Sequence, residues 1–600
     1  MRLTSLRIQN FRAFKDETIS FGDYTCLVGP NGTGKSTVLT ALKVFFQDSD
    51  TAATDLARLQ EEDFHMKVTT EPIRITLTFE DLSEEAQEDF AAYYRGGKLI
   101  VSAVAVWDSA ANCASVIQHG ERMAIPDFKV YFAKEKEGAS ADELKTTYAS
   151  IRDSFDDLPD VRVKAQMKAA LQDYESEHPE LCKVAASKDQ FYGFTKGAGR
   201  LRKYVQWICV PAVKDATTEE METKATVLGR LLERTVRTKI SFDDDLAKIK
   251  EDSTQRYQEL LRANEGALAQ ISEALNQRIQ HWGHPEAMLR LEWYGDPEKA
   301  VNISAPVAHT IAGEGGFSGM LARLGHGLQR SYLLALLQEL AGSDDMKAPT
   351  LILACEEPEL YQHPPQARHL SSVFSQLAEK NSQVILCTHS PYFVPGGRFE
   401  DVRLFRKNSA TSEAGHSSLS FEKLAAAMAE AKGKTAPTSS GMAAKVEQAL
   451  RAELSEMFFT PILILVEGPE DAAYITSCMM LTDQWHAFRS LGCHIVPTSG
   501  KANMLYPLAI ANELGIPTFV VFDADAHEEK PEARAQHQSD NVAILTMCGL
   551  PDADPLPEEP FWHSKVVMWN TNIGSIVSAD IGADEWIKIK DKVVGSRAYS

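Results

Sequence analysis

The run LVGPNGTGKSTVL, from Leu27 to Leu39, constrains this chain more than any other stretch. It holds the complete pattern G-x-x-x-x-G-K-[ST] as Gly29, Gly34, Lys35 and Ser36. Ahead of it DYTCLVG reads as a buried strand, and behind it STVLTALKVFF has helical spacing. That strand–loop–helix context is what the pattern needs to bind phosphate. Glycines let the backbone close around an anion, so that loop N–H groups and the helix N-terminus face the negative charge. Lys35 is expected to reach the β- and γ-phosphates of ATP and Ser36 to ligate Mg²⁺. Asn31, Gly32 and Thr37 complete the nucleotide-binding set. A glycine-rich turn that binds nothing is the plainer alternative, and the flanking strand and helix weigh against it.

The remaining parts of such a site come late in the chain. PTLILACEEPELYQHP (349–364) is an apolar strand ending in Glu356 and Glu357. Glu356 stands where a Walker B acid helps to hold Mg²⁺, and Glu357 is placed to polarise the attacking water as general base. SQVILCTHSPYF (382–393) is a second buried strand, ending in His389, a candidate γ-phosphate sensor. A helix-length segment lies between them, and strand–helix–strand alternation predicts a parallel α/β sheet. A glutamate pair at a strand end is ordinarily surface, and a lone histidine ordinarily structural. Their order behind a P-loop favours the functional reading.

Composition narrows the class. Six hundred residues suggest about three to four domains. No apolar run approaches the roughly 18 residues of a membrane span, and the N-terminus lacks a signal peptide's apolar core. Nine scattered cysteines without a C-x-x-C pair argue for a reducing compartment and against a zinc cluster. The expectation is a cytoplasmic protein with no membrane partner. A net charge of −22 is unfavourable for nucleic-acid binding unless charge is segregated. Residues 194–214 offer such a patch, with Lys196, Arg200, Arg202, Lys203 and Lys214 among Phe194, Tyr204 and Trp207. Basic groups among aromatics suit backbone tracking and base stacking, though a solvated turn or subunit contact fits equally.

These pieces resemble ABC-type ATPases of the branch that holds SMC-like DNA-repair ATPases and the OLD (overcoming lysogenization defect) nucleases. LRIQNFRAFKDETISF is similar to the opening strand and loop of that branch. LGHGLQRSYLLALLQEL (324–340) resembles its signature helix, with Gly325, Gly327, Gln329 and Arg330 at the first turn. Its wording departs from L-S-G-G-Q, which leaves Ser318 and Ser331 as alternative hydroxyls for γ-phosphate. The resemblance implies a homodimer, or a higher homo-oligomer, in which one protomer's signature closes over its partner's P-loop. Between P-loop and signature, residues 140–290 carry helical periodicity, as in Leu228, Leu231, Leu232, Val236, Leu246 and Ile249. They read as a mostly helical insert, for dimerisation rather than mere packing. It separates two parts of the ATPase, 1–139 and 291–406.

Residues 407–460 are a Ser-, Thr-, Gly- and Ala-rich linker or loosely packed helix. A second α/β pattern then occupies 461–600. TPILILVEGPEDAAYITSCMM is strand, acidic turn and helix, CHIVPTSGKANMLYPLAIANELG repeats the pattern, and IPTFVVFDADAHEEK ends a strand at Asp523 and Asp525. Carboxylates at strand ends converge on the crevice of an open parallel sheet. Glu467, Asp523 and Asp525, with Asp471 one helical turn beyond Glu467, are candidate ligands for Mg²⁺ or Mn²⁺, since such a cluster repels itself without a cation. Lys501 is a candidate phosphate contact. VEGPED followed by VFDAD resembles a Toprim domain, the metal-dependent fold of topoisomerases, primases and OLD nucleases. OLD-type Toprim domains usually add an acid and a lysine near the C-terminus; only Asp580, Asp584 and Glu585 with Lys588, Lys590 and Lys592 are available here.

ABC-type ATPase followed by Toprim is the OLD layout, which includes the Gabija-type nuclease subunit and other anti-phage effectors. The resemblance implies an α/β protein: an ABC-type ATPase with a helical dimerisation insert, then a Rossmann-like Toprim domain. It implies an ATP-regulated, metal-dependent DNA endonuclease of bacterial defence. A helicase-like or reverse-transcriptase partner (with its msDNA) is a further implied association. The rival reading is a nucleotide-driven DNA-binding or sensor scaffold whose Toprim domain does not cut.

Overall fold

The computed structural model describes residues 1–48, 56–186, 201–212, 243–281, 288–294, 300–303, 311–320, 349–408 and 413–597, less positions 92, 137, 156, 179, 180, 315, 361 and 395, with scattered positions between 325 and 339. The chain divides into two compact units, 1–214 with 344–600, and 215–343.

The first unit begins with an antiparallel sheet. Arg2–Phe11 pairs with Phe14–Ser20 on one side and Ile73–Glu80 on the other, and Lys98–Asp108 and Cys113–Ala124 follow. Ile73–Glu80 alternates buried and half-buried residues, as a strand with one face on the core does. A second sheet has the order Val205–Val210, Thr350–Glu356, Ser382–Cys387, Tyr24–Val28, Val402–Lys407, Ala414–Ser417, parallel except for the last pair. Helix Lys35–Phe46 is apolar on most of its surface because it is covered on most of its surface. Leu39, Leu42 and Phe45 share one core with Leu6, Ile75 and Leu77 of the first sheet and Ile352 and Ile385 of the second. The buried Gln383 amide joins the sheets: its Oε1 accepts from Leu3 N–H at 2.7 Å and its Nε2 donates to Leu3 O at 2.8 Å.

Two expectations change here. Val205–Val210 lies inside the segment expected to be a mostly helical insert, yet it is a strand of the nucleotide-site sheet. Its continuous apolar wording, VQWICV, suits a strand buried on both faces. The same strand removes the aromatic half of the expected basic patch. Trp207 is buried, stacked on Phe46 and donating to Asp48 Oδ2 at 2.9 Å. Tyr204 is buried too, and Lys203 is paired with Glu85 and Asp89. None of the three is open to a nucleic acid. Phe194, Lys196, Arg200 and Lys214 lie outside the described residues.

Three helices, 129–136, 141–152 and 164–177, form a small cluster around Phe128, Tyr131, Leu144 and Leu171. The expected loose linker is built instead of strand Ala414–Ser417 and helices Phe421–Lys432 and Ser439–Ala449. Phe421, Leu424, Ala425 and Met428 are buried at i, i+3, i+4 and i+7, one helix face. That face packs on helices Lys501–Glu513 and Pro531–Met547. Few large apolar residues suffice when they fall on one stripe.

The C-terminal sheet has the order Cys493–Pro497, Ile462–Val466, Thr518–Asp523, Val566–Trp569, Phe561–Trp562, parallel but for the last pair. Arg406 donates to the carbonyls of Thr460 and Pro461, tying a neighbour of the P-loop strand to the start of this sheet.

In the second unit, helices Asp243–Ala263 and Glu265–His281 follow one another, and Ile311–Glu314 pairs antiparallel with Phe317–Met320. Leu228, Leu231, Leu232 and Val236 lie outside the described residues. Among the described residues no helix is long and apolar enough to cross a membrane.

Candidate functional site

Parallel neighbours bring the nucleotide residues to one sheet edge. Thr350–Glu356, Ser382–Cys387 and Tyr24–Val28 are adjacent, so Glu356 and Glu357, His389 and the P-loop leave the sheet side by side. The loop is possible only with glycine at its two ends. Gly29 has φ 133°, and a Cβ there would lie 2.2 Å from the Phe405 carbonyl oxygen. Gly34 has φ 103°, and its Cβ would meet the Phe14 ring at 2.6 Å. Asn31, Gly32 and Ser36 are exposed at the loop surface and Thr37 is half-buried. Lys35 is buried, its Nζ donating to Gly29 O at 2.8 Å and Pro30 O at 2.9 Å. Burial holds its pKa below the ordinary lysine range.

Glu356 Oε2 stands 3.8 Å from Lys43 Nζ. Glu357 adopts φ 42°, uncommon for a residue with a side chain, with its N–H on Cys387 O at 2.7 Å. His389 Nε2 lies 3.8 Å from Glu357 Oε1. Burial first, and the Lys35 charge second, lower the His389 pKa, so its imidazole is neutral at pH 7. Lys35, Glu356, Glu357 and His389 are therefore gathered as expected from sequence. Glu359 was not foreseen. Its carboxylate accepts from Thr388 Oγ1 at 2.8 Å and from His389 N–H at 2.6 Å, fixing the turn that carries the histidine. Only its place two residues past the glutamate pair hinted at it. Gly325, Gly327, Gln329 and Ser331 belong to the second unit, with Gly327–Gln329 helical; Arg330 lies outside the described residues.

The C-terminal sheet gathers a second set. Glu467 follows strand Ile462–Val466 and Asp523 ends the adjacent parallel strand, and Glu467 Oε2 accepts from Asp523 N–H at 3.1 Å. Asp471 is buried in the first turn of helix Pro469–Leu481, where its Oδ2 accepts from Gly468 N–H at 2.8 Å. Burial, reinforced by the charges of Glu467, Asp471 and Asp525, pushes Asp523 up to about 8. Burial likewise raises Glu467 and Asp471. Asp523 Oδ1 is buried and bonded to nothing. An orphaned carboxylate oxygen among raised carboxylates fits a hard divalent cation. Among the described residues no group of three His, Cys, Asp or Glu side chains is gathered closely enough to hold one ion.

Asp525 explains part of that spacing. It sits at φ 51°, and its Oδ2 receives Lys501 Nζ at 2.6 Å and His537 Nδ1 at 3.2 Å. Lys501 is thus no free phosphate contact; it is buried and engaged from within. His537 and Asn541, one turn apart on helix Pro531–Met547, were missed, and their i, i+4 spacing beside a D-x-D turn was the available signal. Asp580, Asp584, Glu585, Lys588, Lys590 and Lys592 are exposed on the last two helices.

The AAA ATPase domain family matches residues 1–394, and the Toprim domain of overcoming lysogenization defect protein-like proteins matches residues 458–525. The chain is similar to the OLD nuclease of Thermus scotoductus, 23% identical over 557 residues, covering 90% of this chain and 86% of that protein. It is also similar to the Old nuclease of Escherichia phage P2, 21% identical over 558 residues, covering 88% and 77%. The SMC head domain from Thermotoga maritima aligns at a TM-score of 0.27 and 14% identity, covering 70% of this chain and 99% of that one. The chain therefore belongs to the AAA ATPase domain family and joins that ATPase to an OLD-like Toprim domain, the layout of the OLD nucleases.

Proposed function

We propose that this chain is an ATP-regulated, divalent-metal-dependent DNA endonuclease of the OLD type, acting as a homodimer in anti-phage defence. The observation that carries the reading is the Glu467–Asp523 pair at one sheet edge, with an orphaned buried oxygen, behind an assembled nucleotide edge. At the first edge Lys35 and the loop N–H groups bind the β- and γ-phosphates of ATP. Ser36 and Glu356 serve its Mg²⁺, Glu357 takes the proton of the attacking water, and neutral His389 contacts the γ-phosphate. Gly325, Gly327 and Gln329 act on the partner protomer's nucleotide. At the second edge Glu467, Asp471, Asp523 and Asp525 are the donor set for Mg²⁺ or Mn²⁺. A cation bound there supplies positive charge opposite the scissile phosphate and acidifies water. The chain's own residues orient the DNA phosphate against the crevice and keep the acids ionised around that charge.

A non-cleaving Toprim domain on a DNA-binding scaffold is the second reading, favoured by the exposed position of the C-terminal acids. Nicking of supercoiled plasmid by the purified full chain in Mg²⁺ or Mn²⁺ separates the two. Nicking that EDTA, Glu467→Ala and Asp523→Ala each abolish, with ATPase retained, is the expected result. Cleavage that survives both substitutions overturns the assignment of the cutting centre, and no cleavage in either metal favours the scaffold.

A further inference from the structure

The carboxylate crevice already contains a fixed positive charge. Lys501 begins a helix directly after Gly500, whose φ is 115°, and is only 5% exposed. Its ammonium lies 2.6 Å from Asp525 Oδ2, 2.6 Å from the Asp523 carbonyl oxygen and 3.4 Å from Asn541 Oδ1. Three acceptors match its three N–H donors. Asn541 is fully buried and cannot turn, because its Nδ2 donates to Ala524 O at 2.9 Å and Pro555 O at 2.8 Å. Its carbonyl oxygen is thereby aimed at the ammonium. His537 Nδ1 shares Asp525 Oδ2. The opposite side of the crevice is built differently: Asp523 Oδ1 is buried without a partner beside Glu467. Negative charge is balanced from within on the Asp525 side and left open on the Glu467–Asp523 side.

Resting on the reading of this domain as a metal-dependent nuclease, we propose that the Lys501 ammonium stands in place of a second divalent ion, so that the Toprim centre takes one cation, on the Glu467–Asp523 side. Two-ion centres place their ions about 3.5–4 Å apart on shared carboxylates. An ammonium seated on Asp525 and on the Asp523 backbone fills that region and repels a second ion. Asp525 then serves to hold Lys501, and Asn541 to orient it.

The test counts Mn²⁺ bound to the full-length, nucleotide-free chain, by the loss of the free-ion electron paramagnetic resonance signal. Expected are one ion per chain in the wild type and none in Asp523→Asn. Lys501→Met is expected to gain a second ion, and Lys501→Arg to stay at one. Asp525→Asn is expected to keep the ion with less than about a 10-fold loss of affinity, the lower bound for supporting residues. That last variant decides the matter if Lys501→Met does not fold. Two ions in the wild type, one ion in folded Lys501→Met, or loss of the ion in Asp525→Asn each overturns the proposal while leaving metal dependence standing. No bound Mn²⁺ in the wild type overturns the metal reading itself.

Discussion

Glu357 shows how a single backbone angle aims a functional group. Its φ of 42° costs a residue with a side chain about 1–2 kcal/mol, offset by its N–H bond to the next strand. Glu357→Gln keeps shape but cannot accept a proton. We expect it to bind ATP normally and to hydrolyse it about 10²–10⁴-fold more slowly. Turnover at the wild-type rate in single-turnover assays would remove Glu357 from the role of base. Asp401 allows a second prediction, away from both sites. Burial, against the opposing pull of Arg398 and Arg403, raises its pKa to about 6 from 3.8. Between those values the folded chain binds a proton that the unfolded chain has released, so stability falls as pH rises through about 6. The loss is on the order of 2 kcal/mol at most. Asp401→Asn mimics the protonated form, and in urea unfolding it should gain on the wild type between pH 5 and pH 7.5. A gap that shrinks over that range would contradict the assignment.

At the scale of elements, periodicity was readable wherever one face decided the structure. The P-loop strand, its helix and the strands ending in Glu356, His389, Glu467 and Asp523 all stand where their apolar runs place them. Val205–Val210 has an equally clear apolar run, but its basic neighbours directed attention to charge rather than to the strand. Helix Phe421–Lys432 was underread for the opposite reason. Its alanines dilute the composition, while its stripe survives at four positions. Leu424 is wholly buried in that stripe, against two helices of the Toprim domain. Leu424→Ala should cost about 2–4 kcal/mol, seen as a lower urea midpoint. A change within error would mean that the packing of this helix does not hold the Toprim domain in place.

For the whole molecule the open question is how two chains meet. The helices Asp243–Ala263 and Glu265–His281 leave Ile249, Leu260 and Ile271 about half exposed or more. Exposed branched side chains on successive helices suit a self-complementary contact between two copies. We expect the wild type to be a dimer by light scattering at micromolar concentration. Ile249→Asp together with Leu260→Asp should give a folded monomer. A wild-type monomer with and without ATP, or a doubly substituted dimer, would move the contact elsewhere.

The chemistry of this protein was legible in the sequence wherever a few consecutive residues suffice. A strand, a glycine turn and a helix make a phosphate loop by local geometry, and an acid that follows an apolar run must emerge at a sheet edge. Partner choice is not local. Gln383 bonds the backbone of Leu3, 380 residues away, and Lys501 meets Asp525 and Asn541 only because three separate elements close around it. Trp207 and Lys203 read as a nucleic-acid surface until packing buried one and paired the other. Residue order sets which groups can leave a strand together. Which of them then neutralise one another depends on distances across the folded sheet, and only the tertiary structure decided those.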